Sequence, residues 1–130
     1  MAKKILVLLV DDQPATRRGL RLRLAIELDI TVVGEVGDGQ SAVDLAGTLT
    51  PDVVVMDVTM PGMDGIAATR ALRAAVPSSA VVILTLHDDA ATRHRASLAG
   101  AAAFVAKHQP PSELLAAIRA AAATTVTSRL

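Results

Sequence analysis

The sequence predicts an α/β fold: a doubly wound, five-stranded parallel sheet built from five consecutive βα units. Five short apolar runs rich in Val, Ile and Leu recur without alternating with polar residues, which is typical of parallel strands covered by helices on both faces. Segments with helical periodicity separate these runs, and such alternation indicates right-handed crossovers. The strands are predicted at residues 5–10, 30–36, 52–57, 80–86 and 102–107.

Five helices are predicted to follow the five strands. Pro14 fits the first turn of the first helix, Asp64 is expected to cap the third, and Gly100 follows the fourth. A proline pair opens the last helix, which we expect to be complete by about Ala123. The helices are predicted at residues 14–28, 39–49, 64–75, 88–99 and 110–123.

Composition narrows the classes of function. The chain has 130 residues, which suits one domain, and 13 basic residues balance 13 acidic ones, so no overall charge favours nucleic acid or a membrane. There is no Cys, which excludes thiolate catalysis and disulfides. Phe104 is the only aromatic residue, and no apolar run has the ~20 residues of a membrane span. A cytoplasmic protein without membrane contact is expected.

Polar residues gather where the predicted strands end. Asp11 and Asp12 follow the first strand, Asp57 ends the third, Thr85 lies near the end of the fourth, and Lys107 ends the fifth. Ligands of such sheets bind outside the carboxyl ends of the strands. Taken alone, Asp57 could be a strand-end carboxylate that accepts backbone hydrogen bonds. Together with the other four residues, it indicates a functional site.

Three carboxylates in one pocket repel each other, and a hard divalent cation would remove the conflict. Mg²⁺ (or Mn²⁺) takes oxygen ligands. We expect Asp12 and Asp57 to bind the ion directly, Asp11 to act through water, and the backbone carbonyl of Thr59 to add a contact. Asp12 has an alternative role as the N-cap of the first helix, because Pro14 follows two residues later.

The remaining residues of the cluster suit a phosphoryl group. Lys107 offers a fixed positive charge and Thr85 a hydroxyl, and both can contact phosphoryl oxygens. Asp57 is then a plausible nucleophile, because aspartyl phosphates are a known covalent route.

Four segments in this order, "LLVDDQP", "VVVMDVTMPGMDG", "VVILTLHDD" and "GAAAFVAK", resemble the response-regulator receiver domain of two-component signalling across roughly residues 4–122. "VVGEVGDGQSAVDLA" and "PPSELLAAIRAA" further resemble its NarL/LuxR-type subfamily. The resemblance implies a flavodoxin-like receiver fold and phosphorylation by a sensor histidine kinase. It also implies these roles: Asp57 as phosphoacceptor, Asp11 and Asp12 as Mg²⁺ ligands, Thr85 and Phe104 as a switch pair, and Lys107 as a phosphoryl contact.

The sequence gives less information about the surfaces that bind partners than about the site itself. Arg17, Arg18 and Arg21 on the first helix form either a solvated face or, as in receivers, the contact with the kinase. Helices 1 and 5 or the face around helix 4 are candidate surfaces for a homodimer. Residues 1–123 are predicted to be the receiver domain, and residues 124–130 the start of an interdomain linker or a frayed tail. DNA would then be bound only by a domain that is not in this chain.

Rival functions remain at this stage. The chain could be a stand-alone receiver that acts through protein contacts, or a pseudo-receiver without phosphorylation. An Asp-nucleophile phosphatase needs a carboxylate two residues after the nucleophile, where Thr59 stands. We therefore expect no enzyme beyond self-phosphorylation and slow autodephosphorylation, with Thr59 and His87 beside the path of water. His108 follows Lys107 where receivers often have proline, so the local geometry there stays open.

Overall fold

The protein forms one five-stranded parallel sheet with helices on both faces. In this computed structural model the backbone is described for residues 3–129 and the side chains for residues 3–124. The strand order is β2-β1-β3-β4-β5, with every neighbouring pair parallel. The strands are β1 Ile5–Val10, β2 Ile30–Val36, β3 Val53–Met56, β4 Ala80–Thr85 and β5 Ala103–Ala106. The helices are α1 Pro14–Ala25, α2 Gly39–Leu49, α3 Gly65–Ala75, α4 Ala90–Leu98 and α5 Pro111–Arg129. The predicted fold class is confirmed.

The apolar strands are buried on both faces, as their composition predicted. On one face, Leu9 of β1 packs in a cluster with Leu24 of α1 and Ile118 of α5. On the other face, Leu8 packs in a cluster with Leu72 of α3 and with residues of α2 and α4. Successive strand residues point to opposite faces, so this two-sided burial explains why the runs do not alternate with polar residues.

The first helix ends at Ala25, so the prediction that it continues to Leu28 was wrong. The amide of Glu27 donates to the carbonyl of Leu24, which starts a turn into β2. Arg119 of α5 holds this turn by donating to Asp29 at 2.8 and 2.9 Å and to Glu27 at 2.8 Å. The hydrogen bond from Arg119 lowers the pKa of Asp29. α1 is thus followed by a turn that contacts a distant helix.

The last helix continues to Arg129, so the prediction that it is complete by about Ala123 was also wrong. Thr and Ser lower helix propensity only slightly, and no Gly or Pro interrupts the segment. The Thr124 hydroxyl donates to the Ala120 carbonyl, within the helix. Leu130 lies outside the described residues, and the domain boundary at residue 123 remains a prediction. Among residues 3–129, no helix is long and apolar enough to cross a membrane.

Candidate functional site

The carboxyl edge of the sheet carries three carboxylates and one lysine. Asp11 and Asp12 directly follow β1, Asp57 directly follows β3, and Lys107 directly follows β5. Strands β1 and β3 are neighbours in the sheet, and the Asp57 amide extends their pairing by donating to the Val10 carbonyl at 3.0 Å. One carboxylate oxygen from each of the three aspartates lies within 4.8 Å of the other two. The topology thus brings together residues that are far apart in the sequence.

Lys107 bridges two of the carboxylates. Its Nζ lies 3.0 Å from Asp11 Oδ2 and 3.7 Å from Asp57 Oδ1. Asp11 is 2% exposed, and its other oxygen accepts a hydrogen bond from the Gln13 amide at 2.9 Å. Both oxygens of Asp11 therefore have protein partners, and the shorter contact of Lys107 is with Asp11 rather than with Asp57.

Asp57 is a buried carboxylate in a crowded electrostatic environment. Its burial raises its pKa above the usual value, and the nearby charges of Asp11 and Asp12 act in the same direction, while Lys107 acts against them. The chain packs tightly behind it, because a Cβ added to Gly65 would overlap the Asp57 carbonyl oxygen. The α3 helix begins at this glycine and is capped, as predicted, by Asp64, which accepts from the Ala67 amide.

Asp12 differs from the other two carboxylates. It is more exposed, and its side chain makes no hydrogen bond or ion pair with the described residues. The alternative prediction that Asp12 caps α1 was wrong, because the N-cap residue is Gln13, which makes no side-chain capping bond. The Asp12 carboxylate is therefore available to a ligand.

The donor set fits a hard divalent cation. Oxygen ligands around Mg²⁺ sit about 2.0–2.1 Å from the ion, so they lie up to about 4.2 Å from one another. The oxygens of Asp11, Asp12 and Asp57 lie within 4.8 Å of one another, so small side-chain adjustments would bring them to such spacing. Within the part of the chain that the structure describes, the three negative charges have one close lysine, Lys107, and a cation would offset the excess negative charge.

A small cleft of about 170 Å³ opens above the cluster. Thr59 and His87 line it together with Asp12, Asp57 and Lys107. Thr59 and His87 thus lie beside Asp57, on the side from which water would approach it. The use of the Thr59 carbonyl as a metal ligand remains a prediction.

Thr85 ends β4 and is fully buried. It is not among the residues that line the cleft, and its hydroxyl accepts a hydrogen bond from the His87 amide at 3.1 Å. Thr85 would have to exchange this contact to reach a group bound on Asp57. Thr85 lies at the predicted edge of the sheet, but its hydroxyl is hydrogen-bonded within the loop that follows β4.

Phe104 lies in β5 and is partly buried against the cluster that α2, α3 and α4 form with the sheet. The guanidinium of Arg93, from α4, sits 4.6 Å from the centre of the ring. Asp88 holds Arg93 at 2.7 Å. The cation–π contact was not predicted, since no sequence pattern indicates which arginine of α4 turns towards the sheet.

The segment after Lys107 contains no cis peptide bond; none occurs among the described residues. The Gln109 side chain accepts a hydrogen bond from the Ala106 amide at 2.7 Å and closes the turn into α5. The geometry that the sequence left open at Lys107–His108 is therefore an ordinary trans turn.

The arginines predicted at the kinase surface differ in the structure. Arg17 turns inward and donates to the main-chain carbonyl of Asp11. Arg21 pairs with Glu35 of β2 at 3.1 Å, while Arg18 is exposed. The contact of Arg17 with the acidic turn was missed, because helical periodicity places a residue on a face without giving the direction of a long side chain.

Comparison with known proteins agrees with this geometry. Residues 7–119 match the response regulator receiver domain family. The chain is 44% identical over 119 residues to the transcriptional regulatory protein YxjL of Bacillus subtilis (strain 168), which covers 92% of the chain and 55% of that protein. It is 41% identical over 116 residues to the nitrate/nitrite response regulator protein NarP of Escherichia coli (strain K12), covering 89% and 54%.

A solved structure supports the same assignment. A two-component response regulator of the LuxR family from Aurantimonas sp. SI85-9A1 superimposes with a TM-score of 0.90 at 38% identity, covering 94% of this chain and 87% of that one. The chain spans about half the length of the curated relatives it matches. Since the family match includes most of the chain, the protein belongs to the response regulator receiver domain family, with relatives of the NarL/LuxR type.

Proposed function

We propose that Asp57 accepts a phosphoryl group from the phosphohistidine of a sensor histidine kinase. The position of the Asp57 carboxylate carries the proposal: it is buried at a strand end, beside Lys107 and two further carboxylates. A charge in such a place destabilises the fold unless something compensates it, and perturbed carboxylates cluster at functional sites.

The transfer needs little chemistry beyond positioning. A carboxylate oxygen of Asp57 attacks phosphorus, the P–N bond of the phosphohistidine breaks, and its electron pair remains on the imidazole. Lys107 offsets charge on the phosphoryl oxygens, and the Thr85 hydroxyl donates to one of them. Orientation and charge compensation supply most of the acceleration in such transfers.

Asp12 and Asp57 would hold Mg²⁺ or Mn²⁺ directly, with the Thr59 carbonyl as a further ligand. When bound, the ion supplies positive charge that offsets the carboxylates and the phosphoryl oxygens. Asp11 would act through water, and the contacts of its two oxygens with Lys107 and Gln13 support this role.

Phosphorylation would switch the surface built from α4, β5 and α5. The Thr85 hydroxyl would leave the His87 amide for the phosphoryl group, and Phe104 would turn inward to fill the space. The partial exposure of Phe104 and the occupied hydroxyl of Thr85 support an unswitched starting state.

Partners are proposed on the α1–α5 side. The exposed side chains of Arg18 and Arg21 mark α1 for the kinase, whereas Arg17 is turned inward. An apolar cleft of about 310 Å³ between α1 and α5 reaches Lys107 and offers a place for a partner helix or a second copy. Transcription would be controlled through a DNA-binding domain outside this chain, in the cytoplasm; a stand-alone receiver is the alternative.

Intact-mass measurement with acetyl phosphate tests the proposal. A phosphoryl adduct should form with Mg²⁺, fail to form in EDTA, and be absent in Asp57→Asn. Asp44→Asn, which changes an exposed aspartate on α2, is the matched control and should behave like the wild type.

Each of the other outcomes of this experiment would point to a different function or a different phosphoacceptor. Release of phosphate without an adduct would indicate a phosphatase, and no reaction would indicate a pseudo-receiver. An adduct in Asp57→Asn that forms at the wild-type rate would show that the phosphoacceptor lies elsewhere.

A further inference from the structure

The turn that carries Asp11 and Asp12 is held by an arginine rather than by a helix cap. Gln13, the N-cap residue of α1, makes no side-chain capping bond. Instead, Arg17 Nη1 reaches back from the helix and donates to the main-chain carbonyl of Asp11. The Asp11 amide donates to the Val36 carbonyl at 3.2 Å, so both backbone polar groups of Asp11 are fixed.

The guanidinium of Arg17 is itself held from β2. Its Nε lies 3.6 Å from Glu35 Oε1, and the second oxygen of Glu35 binds Arg21 at 3.1 Å. The Nε group of Arg17 is buried and makes no hydrogen bond within the described part of the chain. A partly desolvated guanidinium beside one carboxylate has few alternative positions.

The β2–α2 turn leaves room for this arrangement. A Cβ added to Gly37 would lie 3.2 Å from Arg17 Nη1 and 3.8 Å from the Asp11 carbonyl oxygen. The absence of a side chain at Gly37 thus lets the guanidinium pass between this turn and the acidic turn.

The orientation of the Asp12 side chain depends on the contact between Arg17 and the Asp11 carbonyl more than the orientations of Asp11 and Asp57 do. Asp11 and Asp57 each have Lys107 within 3.7 Å, whereas the Asp12 carboxylate has no partner among the described residues. The direction of the Asp12 side chain therefore depends on its own backbone. The hydrogen bond from Arg17 fixes that backbone at the carbonyl of the preceding residue, Asp11.

We propose that Arg17 is a positioning residue for the divalent cation. Its guanidinium links the Asp11 carbonyl to Glu35 and so keeps the Asp12 carboxylate directed towards Asp57. This inference rests on the proposed function of the acidic cluster as a Mg²⁺ site. Partners that orient metal ligands typically change metal affinity by 10–100-fold when removed.

The test is the Mg²⁺ dissociation constant, measured by NMR titration of backbone amides around Asp12 and Asp57. Arg17→Met, which keeps the apolar stem but removes the donor, should raise this constant by about 10-fold. Arg70→Met, which changes an exposed arginine on α3, is the matched control and should leave it unchanged. The phosphorylation rate of Arg17→Met with acetyl phosphate should reach the wild-type value at saturating Mg²⁺ and fall below it at low Mg²⁺.

Urea unfolding in EDTA measures the stability of Arg17→Met separately from its Mg²⁺ affinity. A folded Arg17→Met with wild-type Mg²⁺ affinity overturns the inference, whatever its stability. If Arg17→Met does not fold, Arg17→Lys keeps the charge but cannot span both Glu35 and the Asp11 carbonyl. It should weaken Mg²⁺ binding, and wild-type affinity there overturns the inference. Failure of the wild-type protein to bind Mg²⁺ would instead contradict the proposed function.

Discussion

Replacing Asp57 by Asn should stabilise the metal-free protein at neutral pH. Asn keeps the shape of the side chain but removes a buried negative charge that is 8% exposed. The change also removes repulsion from two carboxylates and attraction from Lys107, so its sign depends on which is larger. A functional site that carries unfavourable charge commonly lowers stability, which substitution then recovers.

Repulsion and attraction are similar in size, so desolvation decides the sign. At an effective dielectric constant of about 20, two charges 4.8 Å apart, the largest spacing of the three oxygens, interact by roughly 3.5 kcal/mol. Asp11 and the more exposed Asp12, whose charge is screened further by solvent, thus contribute between roughly 3.5 and roughly 7 kcal/mol of repulsion. Lys107, at 3.7 Å, contributes roughly 4.5 kcal/mol of attraction on the same scale. Desolvation of the buried carboxylate, the main cause of its raised pKa, adds to the repulsion and makes the charge unfavourable.

We therefore expect Asp57→Asn to increase the free energy of unfolding by about 2 kcal/mol and Tm by roughly 5–10 °C. Urea unfolding in EDTA at pH 7 measures it, with the exposed-site variant Asp44→Asn as control. Equal or lower stability of Asp57→Asn would refute the electrostatic reasoning, because attraction to Lys107 would then exceed repulsion and desolvation together.

The stability gained by Asp57→Asn should depend on pH in a defined direction. Burial raises the folded-state pKa of Asp57 above its usual 3.8, so the folded state binds this proton more tightly than the unfolded state does. The advantage of Asp57→Asn should be full above the folded-state pKa, decrease as pH falls through it, and disappear below 3.8. Mg²⁺ at a fixed high concentration should stabilise the wild type more than the variant, since the stabilisation by a ligand grows with the logarithm of its concentration divided by its dissociation constant.

Four further substitutions have expected outcomes. Lys107→Ala should still bind Mg²⁺ in an NMR titration but weaken partner binding after phosphorylation; unchanged partner binding counts against this. Thr85→Ala should gain a phosphoryl group yet show no NMR shifts on the α4–β5–α5 face, whereas the wild type should show them. His87→Ala should shorten the phosphoryl lifetime, which we expect to be minutes or longer in the wild type; a wild-type lifetime of seconds, unaltered by the substitution, would refute obstruction. Arg93→Gln should increase the rate of phosphorylation by acetyl phosphate about 2–5-fold, because a cation–π contact of ~0.5–1 kcal/mol no longer holds Phe104 outward; an unchanged rate would contradict this.

The sequence predicted the sheet well because strand burial leaves a local signal. β1 and β2 have the predicted bounds, β4 ends one residue earlier, and β3 and β5 are one residue shorter at each end. The end of α1 was misread because residues 26–28 continue the apolar pattern of the helix, and the contacts of the following turn with Arg119 come from the opposite end of the chain. The end of α5 was misread because Thr and Ser were taken to indicate a linker, although neither breaks a helix.

The acidic cluster was predictable for a topological reason: parallel strands bring their carboxyl ends to one edge. Partners of long side chains were not, because rotamers depend on packing that no sequence spacing encodes. Arg17 illustrates this, since the same helical position could serve a partner surface or, as it does, the Asp11 carbonyl. Arg93 and Phe104 meet across α4 and β5 for similarly non-local reasons.

The three carboxylates are unequal, and their differences suggest an order of events under the proposed function. Lys107 lies closer to Asp11 than to Asp57, so its charge is shared before phosphorylation. To contact a phosphoryl group on Asp57, Lys107 must loosen its 3.0 Å contact with Asp11, which costs little only if Asp11 has another positive charge nearby. Metal binding and the release of Lys107 should therefore be coupled. Asp12, which has no partner among the residues that the structure describes, can accept the cation without breaking any of these contacts. Lys107 can then move from Asp11 to the phosphoryl group.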